Sequence, residues 1–266
     1  MTSQKISMTP LIIAVIVLVV AVVGYTTLQS GNKEEVQEPS YKILFIGTSI
    51  TEWNGGLYTH LEQLVGSADP QLIIKADNII QYNTPLKGLW AETNARSTIK
   101  NGDYDAVVLQ EALHWTFIKT FHEYSRVFDT AIKEAGAETV LFMTYPIVDK
   151  QAQAQASMLG NCLGYASMNV IEKAHRDIAE ELDCKVAPLG LAFHLVESER
   201  PELDLYDADV EHPSIYGTYL AVNVLYATIF DESPEGLTYR PEGVNEGDAE
   251  FLQRVAWETV QEYRVQ

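Results

Sequence analysis

Cysteine, histidine and basic residues are scarce in this chain of 266 residues. The two cysteines, Cys162 and Cys184, form no C-x-x-C pair and no Cys/His cluster, which argues against a structural zinc site. They leave a single disulfide and two free buried thiols as open alternatives. Lys and Arg number 18 against 37 Asp and Glu, a net charge of −19. Such a surface repels phosphate backbones and anionic headgroups, which argues against a nucleic-acid partner. The acidity itself reads as solubility. No G-x-S-x-G elbow occurs, and no repeat of solenoid period. The acidic group Asp204, Asp207, Asp209 and Glu211 lacks the spacing and glycine of a calcium loop. No metal or organic cofactor is expected.

Long, almost wholly aliphatic runs are scarce, and one stands out. Residues 10–25 read PLIIAVIVLVVAVVGY, preceded by Lys5 and the amino terminus. The run has no polar face, as a soluble core helix would, and its length suits a hydrocarbon span of roughly 30 Å. Residues 1–28 are therefore expected to be a signal anchor or a signal peptide, and the uncleaved anchor is favoured because no Ala-x-Ala site follows. Residues 29–40 (QSGNKEEVQEPS) read as a linker. Residues 41–266 read as one globular domain, expected to be exported and to meet the membrane only through the N-terminal helix. Its oligomeric state is open.

From residue 41 onward, apolar runs alternate with amphipathic stretches. Strands are predicted at 41–47, 71–76, 105–109, 138–145 and 184–188. Helices are predicted at 56–65, 90–100, 122–135, 161–182, 214–230 and 246–263. Gly136 stops the third of these helices. This alternation implies an α/β fold, a three-layer α/β/α sandwich with a parallel sheet. Reactive groups gather at the carboxyl ends of such strands, and Ser49, Gln110 and Tyr145 fall at or just after predicted ends.

Two segments carry the chemistry. Gly47-Thr48-Ser49-Ile50-Thr51 places a serine directly after an apolar strand and before the Asn54-Gly55-Gly56 turn. Taken alone, Ser49 is equally an exposed nucleophile or, like Thr51, a helix N-cap. Three histidines have a carboxylate three residues upstream: His114 (Glu111), His175 (Glu172) and His212 (Asp209). Glu172 and His175 fit an ordinary surface pair on a helix. Glu111 and His114 follow the third strand and stand in reserve. His212 precedes Pro213 and a helix start, so it sits in a stiffened loop where a base can reach a neighbouring strand end. Ser49, Asp209 and His212 thus supply a nucleophile, an orienting acid and a base, with Asp204, Asp207 and Glu211 as other carboxylates in the same loop and a surface-turn histidine as the plain alternative for His212. Trp53, Trp90, Trp115 and Tyr145 flank strand ends, as a substrate platform or as plain core and rim. Met158 and Met168 read as gap-fillers.

At these residues the chain resembles the SGNH/GDSL hydrolase superfamily, over nearly all of residues 41–230. The family's strand runs into G-D/N-S, here Gly47-Thr48-Ser49. Its D-x-x-H is here Asp209 to His212, and HPSIYGTYL looks like the family's H-P-[ST]-x-x-G continuation. The resemblance implies a flavodoxin-like sandwich and a serine esterase. The middle blocks depart from the family pattern. Where the family has G-x-N-D, this chain has Leu109-Gln110-Glu111, which looks like an L-Q-E branch; Gln110 then offers the side-chain donor of the oxyanion hole. Asn83, with Gly88 as the alternative, takes the place of the second-block glycine, and the Ser49 N–H completes the donor set. The substrate implied is a small-molecule or carbohydrate ester, short acyl chains first. The rivals are an envelope polysaccharide acyltransferase and a non-catalytic carbohydrate-binding module on the same fold.

Overall fold

In a computed structural model, residues 40–112, 118–146 and 167–265 are described. The anchor, the linker up to residue 39, His114, Trp115, Met158 and Cys162 lie outside them. Among the described residues, no helix is long and apolar enough to cross a membrane.

Five strands form one parallel sheet in the order β2-β1-β3-β4-β5: β1 (Tyr41–Gly47), β2 (Ile74–Ile80), β3 (Ala106–Leu109), β4 (Glu138–Phe142) and β5 (Lys185–Ala187). This is the flavodoxin-like order, with the chain reversing direction between β1 and β3. Strands β1 and β3 are continuous apolar runs because the sheet is covered on both faces; Ile43 to Ile46 and Ala106 to Leu109 are buried. β2 is an edge strand carrying Lys75, Asp77 and Asn78. It starts three residues later than predicted, because an edge strand needs less apolar sequence than the Leu72-Ile73-Ile74 run suggested.

The helices are α1 (Ser49–Glu52), α2 (Leu57–Ala68), α3 (Leu86–Glu92), α4 (Ala95–Asn101), α5 (Ile118–Glu134), α6 (Met168–Leu182), α7 (Leu189–Glu199), α8 (Ile215–Phe230) and α9 (Glu246–Val265). Helices α2, α7, α8 and α9 pack together on one side of the sheet, and α3, α4, α5 and α6 on the other. The single helix expected at 90–100 is two, α3 and α4, broken at Thr93 and Asn94. Helix α7 was not predicted. Its segment LGLAFHLVESE is apolar through most of its first eight positions, which blurs helical periodicity.

Helix α8 is apolar all round, and every residue from Gly217 to Ile229 is buried. Ser214 caps it by accepting the Gly217 N–H at 3.3 Å. A Cβ at Gly217 would lie 2.3 Å from the Leu205 carbonyl oxygen and 2.9 Å from the Phe193 ring. The helix can therefore approach the 205–213 loop this closely only with glycine there. That approach sets the loop carrying His212 against the sandwich.

Candidate active site

The parallel register brings Gly47, Ile80, Leu109 and Phe142 to one edge of the sheet. The segment leaving β1 turns at once into α1. Thr48 is the N-cap and Ser49 the first helical residue. Neither alternative cap role holds: Ser49 makes no capping bond, and the Thr51 hydroxyl donates to Gln110 instead.

Gln110 is 1% exposed and bolts this elbow to β3. Its Oε1 accepts from the Thr48 N–H at 2.9 Å and from the Thr51 hydroxyl at 2.6 Å, while Nε2 donates to Thr48 Oγ1 at 2.9 Å. One hydrogen of the Nε2 amide is used in this way and one is left. A Cβ on Gly47 would lie 2.5 Å from Thr51 Oγ1 and 2.8 Å from Gln110 Oε1, so only glycine allows the clasp. Ser49 itself is 9% exposed.

At the far end of the chain, Asp207 N–H donates to the His212 carbonyl at 2.8 Å, and Tyr206 pairs with Pro213 across an isolated bridge. Val210 takes a positive φ of 56° to close the turn. Asp209 Oδ1 accepts the N–H groups of Glu211 (3.0 Å) and His212 (2.9 Å), and Oδ2 meets His212 Nδ1 at 2.6 Å. Burial works against the charged carboxyl, but the His212 N–H, the His212 ring and the Glu211 N–H outweigh it and hold Asp209 below its ordinary range. With Nδ1–H committed to the carboxylate, Nε2 carries the lone pair. Nε2 is buried and has no hydrogen-bond partner, so the Ser49 hydroxyl is not bonded to it in this structure.

The two segments are nevertheless joined. The Trp53 indole stacks on the His212 imidazole with centroids 3.9 Å apart and planes 13° apart. Its Nε1 donates to Asp207 Oδ2 at 3.0 Å. Asn54, held in the left-handed region at φ 55°, donates from Nδ2 to the Pro213 carbonyl (2.9 Å) and to Thr218 Oγ1 (2.8 Å). His60 Nε2 in turn bonds the Asn54 carbonyl at 2.8 Å. Trp53 is four residues after Ser49, so the stack ties the imidazole to the segment that carries the hydroxyl. Sequence reasoning missed this junction. Asn54-Gly55-Gly56 signalled a left-handed turn, but nothing local could name its distant partners.

The remaining expected residues fall as follows. Asn83 lies in the β2–α3 loop with φ 54°, exposed. Gly88, its alternative, spends its N–H on the Pro85 carbonyl at 2.8 Å. Glu111 is neither in an ion pair among the described residues nor exposed to substrate: it is 4% exposed, and its Oε1 accepts the N–H groups of Leu86 (3.1 Å) and Ala112 (2.8 Å). Burial pushes its carboxyl up to about 7, against the two N–H bonds that pull it down. Tyr145 is core: it stacks on Phe193 at 4.2 Å and donates to the Glu211 carbonyl at 3.1 Å. Trp90 packs edge-on against Phe128 at 4.9 Å.

The pairing of Glu172 with His175 is corrected. Glu172 pairs with Arg176 at 2.9 Å, and His175 is buried, donating from Nδ1 to the Ile171 carbonyl at 2.8 Å. Cys184 is a free, half-buried thiol, pushed up to about 12 by burial and the Asp129 charge. Among the described residues no group of three His, Cys, Asp or Glu side chains is arranged to hold a metal. A groove of about 610 Å³ runs beside the His212 loop, lined by Glu197, Leu203, Asp204, Tyr206, Asp207 and Val210 among others, but not by Ser49 or His212.

No protein-family model and no curated protein matches the chain. Solved structures do. A proposed SGNH hydrolase from Slackia heliotrinireducens is 24% identical over 71% of this chain and 98% of its own, with a TM-score of 0.59. A DUF4886 family protein from Bacteroides uniformis is 14% identical over 83% and 95%, with a TM-score of 0.64. A catalytic mutant of an acetylxylan esterase from Geobacillus stearothermophilus is 16% identical over 71% and 93%, with a TM-score of 0.55. The described residues thus share the α/β/α fold of these structures.

Proposed function

We propose that this protein is a serine esterase of the SGNH superfamily, hydrolysing short-chain acyl esters, with carbohydrate-linked acetyl esters the first class to examine. The observation that carries the reading is the imidazole of His212. It is oriented by Asp209 through Nδ1, it keeps a free Nε2, and it is stacked on the tryptophan four residues after Ser49. Catalytic hydrogen bonds are often long in unliganded sites and tighten with substrate, which accommodates the unmade Ser49–His212 bond. The acetylxylan esterase among the structural neighbours supports the substrate class.

In this reading Ser49 Oγ attacks the ester carbonyl as its proton passes to His212 Nε2. Asp209 holds the ring and stabilises the imidazolium. The N–H of Ser49, the N–H of Asn83 and the remaining Nε2 hydrogen of Gln110 face the oxyanion; one such donor is typically worth about 3–4 kcal/mol of barrier. The imidazolium then protonates the leaving alkoxide. Water, deprotonated by the same nitrogen, cleaves the acyl-serine and releases the acid. Export by way of residues 1–28 is part of the proposal and rests on the sequence alone.

The test is p-nitrophenyl acetate turnover by wild type and Ser49→Ala. The account expects the variant to lose nearly all activity. Full activity in Ser49→Ala overturns the nucleophile.

A further inference from the structure

The Trp53–His212 stack asks for more than a packing role. Trp and imidazole planes lie 13° apart with centroids at 3.9 Å, inside the range at which a cation is attracted to an indole face. The indole is itself fixed: Nε1 donates to Asp207 Oδ2, on the loop that carries His212, and the next residue, Asn54, ties down Pro213 and Thr218. The face therefore cannot slide off the ring without breaking the Nε1–Asp207 hydrogen bond, and the two Asn54 bonds hold the backbone beside it to the same loop and helix. On its edge, the ring is pinned by Asp209. Two orthogonal constraints, one in plane and one face-on, leave Nε2 a single direction.

We propose that Trp53 is a positioning residue for the base: it fixes the plane of His212 and stabilises the imidazolium that exists between proton uptake from Ser49 Oγ and proton delivery to the leaving oxygen. The inference rests on the esterase reading, and it concerns the one aromatic on the Ser49 segment. An indole suits the task because it offers the most negative face of the aromatic side chains. Asp209 meets the ring directly, and the other charged groups on the two joined segments are Asp207 and Glu211 on the loop and Glu52 next to Trp53. Asp207 is bonded to Trp53, and Glu52 accepts from the Tyr58 hydroxyl at 2.6 Å. Asp209 favours the cation from the edge, and Trp53 does so from the face.

The experiment compares full-length wild type, Trp53→Leu and Trp53→Phe in two measurements. The first is NMR titration of the His212 ring protons. Loss of the indole face is expected to move the His212 transition to lower pH in the leucine variant, and phenylalanine is expected to return most of it. The second is the pH dependence of p-nitrophenyl acetate turnover. In Trp53→Leu kcat should fall by about threefold to thirtyfold, the range of a partly desolvated cation–π contact, with KM little changed and the acidic limb displaced to lower pH. An unchanged ring titration in the well-folded phenylalanine and leucine variants overturns the proposal, as does a loss carried by KM alone. If wild type cleaves no ester, the esterase reading fails on its own, while the ring titration still decides whether Trp53 stabilises the cation.

Discussion

Glu111 gives the sharpest energetic prediction. Its carboxyl is buried between the end of β3 and the first turn of α3, held by two backbone N–H groups and no cation among the described residues. Its pKa stands at about 7 against 4.5 for an ordinary glutamate. A folded-state value above the unfolded one means that the folded protein binds this proton more tightly. The contribution is therefore fully present below pH 4.5 and is lost as pH rises through 7. The shift of about 2.5 units corresponds to about 3 kcal/mol. Glu111→Gln keeps an oxygen for Leu86 N–H and Ala112 N–H and removes the titration. Urea unfolding of both proteins at pH 4.5 and pH 8 gives four stabilities. Wild type should lose about 3 kcal/mol relative to the variant between the two pH values. Any fixed cost of the amide cancels in this double difference, as do all titrations the two proteins share. Identical pH dependence in wild type and variant would refute the reasoning.

Two further predictions concern stability. Gly217→Ala places a Cβ 2.3 Å from the Leu205 carbonyl oxygen, a rigid neighbour, so it should cost about 1–3 kcal/mol and lower the melting temperature; an unshifted melt would show that α8 does not press on the His212 loop as described. Burial, against the Ile171 carbonyl bond and with His122 adding to it, lowers His175 to about 4, below its unfolded value of 6.5. Its contribution is present above pH 6.5 and lost as pH falls toward 4, about 3 kcal/mol in all, so His175→Gln should unfold with a flatter pH dependence in that window; an unaltered slope contradicts the assignment.

The parts of the fold that were legible in the sequence share one property: their signal is local. β1 matches to the residue and β3 within one, because a strand covered on both faces must be apolar throughout. The extent of the edge strand β2 was misjudged and helix α7 was missed, since an edge tolerates polar residues and a helix apolar through most of its first eight positions shows no clear period. His175 misled because Glu172 stands three residues before it. Its neighbours on the same helical face, Ile171 and Ile178, are buried, and they take the imidazole inward with them.

The site divides in the same way. Ser49 and Gln110 were readable from strand ends, and His212 with Asp209 from a short motif stiffened by Pro213. Both Asp209 carboxylate oxygens are used within the turn, one by the His212 N–H and one by the His212 ring. The junction through Trp53 and Asn54 was not readable, because it joins α1 to a loop far along the chain and depends on face-to-face geometry that no spacing encodes. Gln110 is a clasp on Thr48 and Thr51, a structural use that its place at a strand end did not announce.

The central claim is that the Ser49 hydroxyl is made nucleophilic by His212. Labelling the intact protein with a fluorophosphonate and locating the adduct by peptide mass spectrometry tests it most directly. The account predicts a single adduct, on Ser49, that forms far more slowly in His212→Ala. An adduct on another serine, or labelling of Ser49 at an undiminished rate without the imidazole, would contradict it.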